Sequence, residues 1–122
     1  EELRKEHKNP LPSLMFIHIP LPEFKELWNR GKAKGNKNKI ECPAKINSGL
    51  FASLLEMKDV KGVFAGHDHI NDYVGDYYGI KLGYCPATGY KGYGLQNYAR
   101  GARVFLIREA SPEKFETWIV RD

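Results

Sequence analysis

The sequence predicts an α+β domain built on a mixed β-sheet, and three observations lead to this prediction. Short apolar runs at residues 13–18 and 61–66 have the length and composition of strands that are buried on both faces of a sheet. Two segments between these runs carry apolar residues at helical spacing. After residue 72 the chain changes to short aromatic and β-branched runs separated by turns, which is typical of antiparallel strands.

Two helices are predicted between the apolar runs. The first begins near Pro22, because a proline loses nothing in the first turn of a helix, and it ends at Gly31. Its apolar positions are Phe24, Leu27 and Trp28. The second helix follows Asn47 or Ser48, either of which can cap it. Its apolar positions are Leu50, Phe51, Leu54, Leu55 and Met57.

The other segments are predicted from their turn residues and apolar runs. Residues 1–7 are expected to end a helix that Asn9 and Pro10 break. The basic stretch at residues 30–39 is expected to be a solvated loop that buries nothing. A hairpin around Tyr78 and Gly79, a long ordered loop at 88–101 and strands at 103–108 and 115–120 complete the chain.

Composition narrows the classes of function. The 122 residues suffice for one domain or part of one, and the net charge of +4 only mildly favours anionic partners. No run of 18 apolar residues exists, so no membrane span is predicted, and nucleic acid is not expected as a stable partner. Cys42 and Cys85 are expected to be free and mostly buried. The cellular compartment is left open.

Three of the four histidines follow predicted strands. His18 ends the first apolar run, while His67 and His69 lie in a Gly-His-Asp-His segment directly after the second. If the two strands are parallel neighbours, their carboxyl ends meet at one edge of the sheet, where ligand sites gather. Imidazole is a common ligand of divalent metals, so the pattern predicts a histidine metal site. His7 lies in a charged segment and is assigned no role.

The spacing of residues does not determine how many metal ions such a site holds. Three histidines can hold one zinc ion with an open position, as in a mononuclear zinc hydrolase. Asp68, Asn71 and Asp72 are too close in sequence to the histidines to be obvious additional ligands. A second alternative is a nucleic-acid-binding module that uses the basic loop and the Tyr-rich segment, for which salt-sensitive binding to single strands would be diagnostic.

Several segments resemble one known family. The segment FIHIPLPE at residues 16–23 resembles the isolated-histidine segment of calcineurin-like metallophosphoesterases, and VFAGHDHIND at 63–72 resembles their closing GHxH motif. The match extends over residues 14–120. Its purple-acid-phosphatase-like branch, found in plants, yeast and bacteria, is indicated by four shorter segments: NSGLF at 47–51, TGY at 88–90, GYG at 92–94 and ARV at 102–104.

The resemblance implies a phosphohydrolase that cleaves phosphate esters with two metal ions, usually iron, manganese or zinc. His18 and His67 correspond to ligands of the second metal, and His69 corresponds to a ligand of the first. The family fold is a four-layer sandwich of two mixed sheets with helices outside. Asn71, Asp72 and the Tyr90 to Tyr93 loop follow the metal motif and are candidates for lining the substrate cleft.

The chain departs from the family in one respect. It contains none of the motifs DxH, GDxxD and GNHD or GNHE, which precede the isolated histidine in the family. Residues 1–122 are therefore expected to be the C-terminal half of the phosphoesterase domain, with the N-terminal half and its catalytic histidine absent. We expect the fragment to be inactive, to bind metal weakly and to self-associate through exposed sheet surface.

Overall fold

The fold was obtained as a computed structural model, in which residues 11–122 are described. The predicted helical segment at 1–7, the break at Asn9 and Pro10, and His7 lie outside these residues. Among the described residues there is no helix long and apolar enough to cross a membrane.

The described chain forms a four-stranded mixed sheet, a two-stranded ribbon and two short helices. Strands β1 (Ser13–Ile17), β2 (Val60–Ala65), β3 (Val74–Tyr77) and β4 (Ile80–Tyr84) form the sheet in the order β1-β2-β4-β3. Strands β1, β2 and β4 are parallel, and β3 is antiparallel to β4. Antiparallel strands β5 (Gly101–Leu106) and β6 (Glu116–Arg121) form the ribbon. Helices α1 (Glu23–Asn29) and α2 (Leu50–Met57) connect β1 to β2, so the α+β prediction with a mixed sheet is confirmed.

The helices cover one face of the sheet. Phe24 and Leu27 of α1 are fully buried, and Phe51 and Leu54 of α2 are nearly so. The Phe24 ring meets the Tyr84 ring edge-on, with the centroids 5.0 Å apart. The helical spacing that predicted α1 and α2 therefore corresponds to the apolar faces that pack on the sheet.

The ribbon covers the other face through a cluster of phenylalanines. Phe64 of β2 lies 4.6 Å from Phe105 of the ribbon and 5.9 Å from Phe115, measured between ring centroids. Gly62 and Gly83 make room for the Phe64 ring, because a Cβ at either position would lie 2.8 Å from one of its carbon atoms. Strand β2 is thus buried on both faces, as its continuous apolar run predicted.

The same prediction is wrong for β1. This strand lies at the edge of the sheet, and Phe16 keeps 61% of its surface exposed although its ring contacts Phe105. A continuous apolar run does not distinguish a central strand from an edge strand, because neighbours in the sheet are decided by tertiary pairing. The outer face of the ribbon exposes Trp118 and Val120 as well. Self-association through such surfaces stays a prediction.

Three local predictions are corrected. Helix α2 is preceded by Gly49 in the left-handed conformation, with no side-chain cap, and the Asn47 side chain instead accepts a hydrogen bond from the Gly49 amide. The basic loop is not merely solvated, since Lys34 and Lys37 form backbone bridges with residues after the histidine motif. Cys42 is exposed rather than buried, and Cys85 is half-buried.

The hairpin prediction is confirmed. Tyr78 and Gly79 both have positive φ, 50° and 81°, as a two-residue turn with the twist of the flanking strands requires. Residues 88–100 form the predicted loop without regular structure, and β5 begins two residues before the predicted start at Arg103.

Replacing Gly83 by Ala is expected to destabilise the fold. The new Cβ would lie 2.8 Å from a Phe64 ring carbon and 2.9 Å from a Val74 methyl carbon, in a packed layer with no room to relax. We expect the free energy of unfolding to fall by about 1–3 kcal/mol, measured by urea denaturation. Gly89→Ala is the matched control, because a Cβ there meets no atom within 4 Å. Equal stabilities of the two variants would contradict the described packing.

Candidate functional site

Two of the predicted histidines meet at the carboxyl ends of β1 and β2. The parallel register pairs Ile17 with Ala65, and the carbonyl of His18 accepts hydrogen bonds from the amides of Gly66 and His67. The Nε2 atom of His18 lies 3.1 Å from the Nδ1 atom of His67, and the ring planes are 79° apart. His18 is exposed and His67 is half-buried, so the pair is open to solvent.

The geometry of this pair fits two ligands of one cation. Imidazole nitrogens bind zinc at about 2.0–2.1 Å, so two of them on one octahedral or tetrahedral ion lie about 2.8–3.4 Å apart. The observed 3.1 Å separation falls in this range. Without a cation, one neutral ring donates a hydrogen bond to the other, so the contact has two physical readings.

His69 is held by the Tyr-rich loop. Its ring is stacked on Tyr93 with the centroids 4.1 Å apart and an angle of 6° between the planes. Its Nδ1 atom lies 3.1 Å from the Tyr93 carbonyl oxygen, and its backbone amide donates to the Tyr93 hydroxyl at 2.9 Å. Sequence analysis placed Tyr93 in a loop near the site but did not foresee that it packs on a histidine.

The predicted meeting of histidines is therefore observed for His18 and His67. Within residues 11–122, no three His, Cys, Asp or Glu side chains are grouped as the ligands of a metal ion. The three-histidine zinc site considered from the sequence is thus not assembled in this arrangement. The assignment of His18, His67 and His69 as metal ligands stays a prediction.

Asp68 anchors the loop that carries both His67 and His69. The side chain is fully buried, and its Oδ2 atom accepts hydrogen bonds from the Tyr84 hydroxyl at 2.7 Å and the Cys42 amide at 3.1 Å. Lys39 Nζ lies 3.1 Å from Oδ1. Burial alone would raise the pKa of Asp68, but these hydrogen bonds and the Lys39 charge outweigh burial and hold it below the usual value. Asp68 is thus a charged structural residue inside the loop.

Asn71 and Asp72, the candidates for lining the substrate cleft, are held inside the fold, and their role toward a substrate stays a prediction. Both are buried beneath the basic loop. Asn71 Oδ1 accepts hydrogen bonds from the amides of Asn38 and Lys39, each at 2.9 Å, and its Nδ2 donates to the Lys39 carbonyl. Buried polar groups need hydrogen-bond partners within the protein, and here the basic loop supplies them. The two residues therefore hold the basic loop against the histidine motif.

Asp72 joins three parts of the chain. It accepts hydrogen bonds from Asn36 in the basic loop and from Tyr98 in the Tyr-rich loop, and it pairs with Arg121 of β6. Burial pushes the pKa of Asp72 upward, but its hydrogen bonds and Arg121 together lower it. Burial and the hydrogen bond to Asp72 raise the pKa of Tyr98 to about 12.

Arg103 links the ribbon to the sheet near the site. Its Nε donates to the Tyr84 carbonyl at 2.8 Å, and its terminal nitrogens donate to the Asp72 carbonyl and the Thr117 hydroxyl. An arginine within a predicted β-strand carries no sequence signal for this role, since its three acceptors lie 14, 19 and 31 residues away.

The fold and the paired histidines define an α+β protein with a candidate metal site at the carboxyl ends of parallel strands. No family model and no solved structure match the chain. Three curated Arabidopsis thaliana proteins do, and each is named a "Probable inactive purple acid phosphatase".

These relatives cover most of the chain. Number 14 is 42% identical over 120 residues, covering 92% of this chain and 29% of that protein. Numbers 29 and 28 are 42% and 39% identical and cover 79% and 80% of the chain. The chain is therefore a homologue of the purple-acid-phosphatase-like proteins, and the resemblance predicted from its sequence is confirmed. It spans less than a third of the length of these relatives.

The Asp72 cluster predicts acid sensitivity of the fold. Because the pKa of Asp72 is lower in the folded state, its charged form stabilises the fold above about pH 4, and this contribution is lost as the pH falls through the lower folded value. Asp72→Asn should remove this dependence and lower the free energy of unfolding at neutral pH by about 1–3 kcal/mol. Urea denaturation between neutral and acidic pH measures both effects.

Asp76→Asn is the control for this experiment. The Asp76 side chain is 70% exposed, and its ion pair with Lys81 is long, at 3.4 Å. Because an exposed ion pair contributes little, removing the Asp76 charge should change the stability little. An Asp72→Asn protein that loses as much stability on acidification as the unsubstituted chain would refute the assignment.

Proposed function

We propose that this chain supplies part of the metal centre of a phosphoesterase that acts on phosphate esters. In this proposal His18 and His67 bind one cation, and His69 belongs to the coordination sphere of the other. The observation that carries the proposal is the 3.1 Å approach of His18 Nε2 to His67 Nδ1, made by residues 49 positions apart in the sequence. Homology to purple-acid-phosphatase-like proteins supports the class of chemistry.

The exposure of the pair supports a ligand role over a structural one. A histidine retained for packing is usually buried, whereas the His18 ring is exposed and the His67 ring is half-buried at a sheet edge. Backbone hydrogen bonds from the Gly66 and His67 amides to the His18 carbonyl fix the two residues relative to each other. A cation that binds both rings therefore needs no rearrangement of the strands.

The chain's own residues prepare the site in two ways. The pairing of β1 with β2 places the two imidazoles, and Asp68, which pairs with Lys39, fixes the loop between His67 and His69. When bound, a pair of cations of the iron, manganese or zinc type would activate water and neutralise the charge of a phosphate ester. A positive net charge is favourable for an anionic substrate.

Among residues 11–122, no carboxylate is grouped with the histidine pair as a third ligand of a metal ion. Asp68, Asp72 and Glu41 are all buried and engaged elsewhere, so none is free to bridge two cations. Three neutral imidazoles then leave the cationic charge uncompensated, and metal binding by this chain should be weak. The relatives' names describe them as probably inactive, which is compatible with a chain that does not hydrolyse phosphate esters by itself.

Zinc titration followed by histidine side-chain ¹⁵N NMR tests the shared cation. The resonances of His18 Nε2 and His67 Nδ1 should shift together with one midpoint, because both atoms would bind the same ion. His18→Ala should remove the shift at His67, and His67→Ala the shift at His18. His7→Ala is the matched control and should change neither. Independent midpoints, or a His67 shift that survives His18→Ala, would refute a shared site.

The activity prediction is tested with a chromogenic phosphate ester. The purified chain should show no hydrolysis above the buffer rate with Zn²⁺, Mn²⁺ or Fe³⁺, because the missing bridging carboxylate should matter more than an outer-shell ligand, whose loss reduces activity about 10–100-fold. His18→Ala is the control for adventitious metal catalysis. Hydrolysis that depends on both metal and His18 would contradict the prediction.

A further inference from the structure

Tyr93 is tied to both histidines of the Gly-His-Asp-His segment, although it lies 24 residues beyond His69. Its ring stacks on the His69 ring, its carbonyl oxygen lies 3.1 Å from His69 Nδ1, and its hydroxyl contacts the backbone of both histidines. These contacts place the phenol between the histidine loop and the basic loop.

The hydrogen bonds of the Tyr93 hydroxyl have a fixed direction. Lys39 Nζ at 3.0 Å and the His69 amide at 2.9 Å can only donate, so the phenol oxygen accepts from both. Its own proton is then directed to the remaining contact, the His67 carbonyl oxygen at 3.2 Å. The hydroxyl is thereby fully used, and it links His67 and His69 through one atom.

The Tyr93 carbonyl determines the tautomer of His69. A carbonyl oxygen can only accept a hydrogen bond, so Nδ1 of His69 carries the proton. In a neutral imidazole the other nitrogen then has the lone pair. His69 therefore presents Nε2 as its free ligand atom.

The residue before Tyr93 must be small for this contact to form. A Cβ at Gly92 would lie 2.8 Å from Cε1 and 3.1 Å from Nδ1 of His69. Any larger residue would push the ring away from the carbonyl that orients it. The Gly-Tyr pair is thus shaped around the His69 ring.

The exposure of Tyr93 argues against a role in the core. The side chain is 46% exposed, and it lies in a loop without regular structure. An exposed ring contributes little buried apolar area, so its main effect is on the groups that it contacts.

We propose that Tyr93 is a positioning residue that holds His69 in the Nδ1–H tautomer, with Nε2 free to bind a cation or accept a proton. The role of Nε2 as a metal ligand rests on the proposed function, but the tautomer is a property of the metal-free chain and can be measured without a metal. Outer-shell groups that orient a ligating histidine act in this way, by fixing its protonated nitrogen with a carbonyl acceptor.

Long-range ¹H–¹⁵N NMR of the metal-free chain tests the proposal. In its neutral form the His69 ring should show one protonated Nδ1 and one unprotonated Nε2. Tyr93→Ala should shift His69 toward the mixture of tautomers of free imidazole. Without the stacked ring, the loop no longer keeps the carbonyl of residue 93 against the His69 ring. Gly92→Ala should produce the same shift by displacing the ring.

Two conservative variants separate positioning from general stability. Tyr93→Phe keeps the ring and the carbonyl, so the tautomer should survive while hydrogen exchange at the His69 amide becomes faster. Tyr90→Phe is the matched control, since the Tyr90 hydroxyl bonds to Asp122, and it should change neither measurement. Unchanged backbone spectra outside the loops would show that all four variants are folded.

The outcomes distinguish this inference from the proposed function. An Nε2–H tautomer of His69, or a mixture already in the unsubstituted chain, would overturn the positioning role even if zinc shifts His18 and His67. A His69 tautomer that is insensitive to Tyr93→Ala and Gly92→Ala would also overturn it. Conversely, the expected tautomer together with no effect of zinc on any histidine would support the positioning role and refute the metal site.

Discussion

The parallel pairing of β1 with β2 is the constraint on which the candidate site depends. Parallel neighbours need a crossover connection, and here α1, the basic loop and α2 provide it. The crossover separates His18 and His67 by 49 positions in the sequence, yet the shared register brings their ring nitrogens to 3.1 Å. A slip of this register would separate the rings, because the backbone hydrogen bonds at His18 fix the positions of the two histidines along the strands.

Buried carboxylates hold the loops around this edge in one recurring arrangement. Each accepts a hydrogen bond from a tyrosine hydroxyl and pairs with one cationic side chain, which offsets the desolvation of its charge. Burial raises the pKa of Tyr73 and Tyr84, so these phenols remain protonated donors. The three sets are Asp68 with Tyr84 and Lys39, Glu41 with Tyr73 and Lys37, and Asp72 with Tyr98 and Arg121.

This arrangement gives the basic and Tyr-rich segments a structural role. Three of their side chains, Lys37, Lys39 and Tyr98, are engaged with carboxylates inside the molecule. Other lysines and tyrosines of the two segments, such as Lys34 and Tyr90, are exposed. The engaged side chains hold the two segments against the histidine loop.

The sequence by itself determined the helices, the hairpin and the two strands that end in histidine, because apolar periodicity and turn residues are local signals. It also determined the class of protein, since the family that its motifs indicate is that of relatives 39–42% identical to it. Only the tertiary structure decided that β1 is an edge strand, that Asn71 and Asp72 are buried, and that Tyr93 stacks on His69. These facts arise from pairings between residues 24 to 49 positions apart, and such pairings leave no periodic trace in the chain.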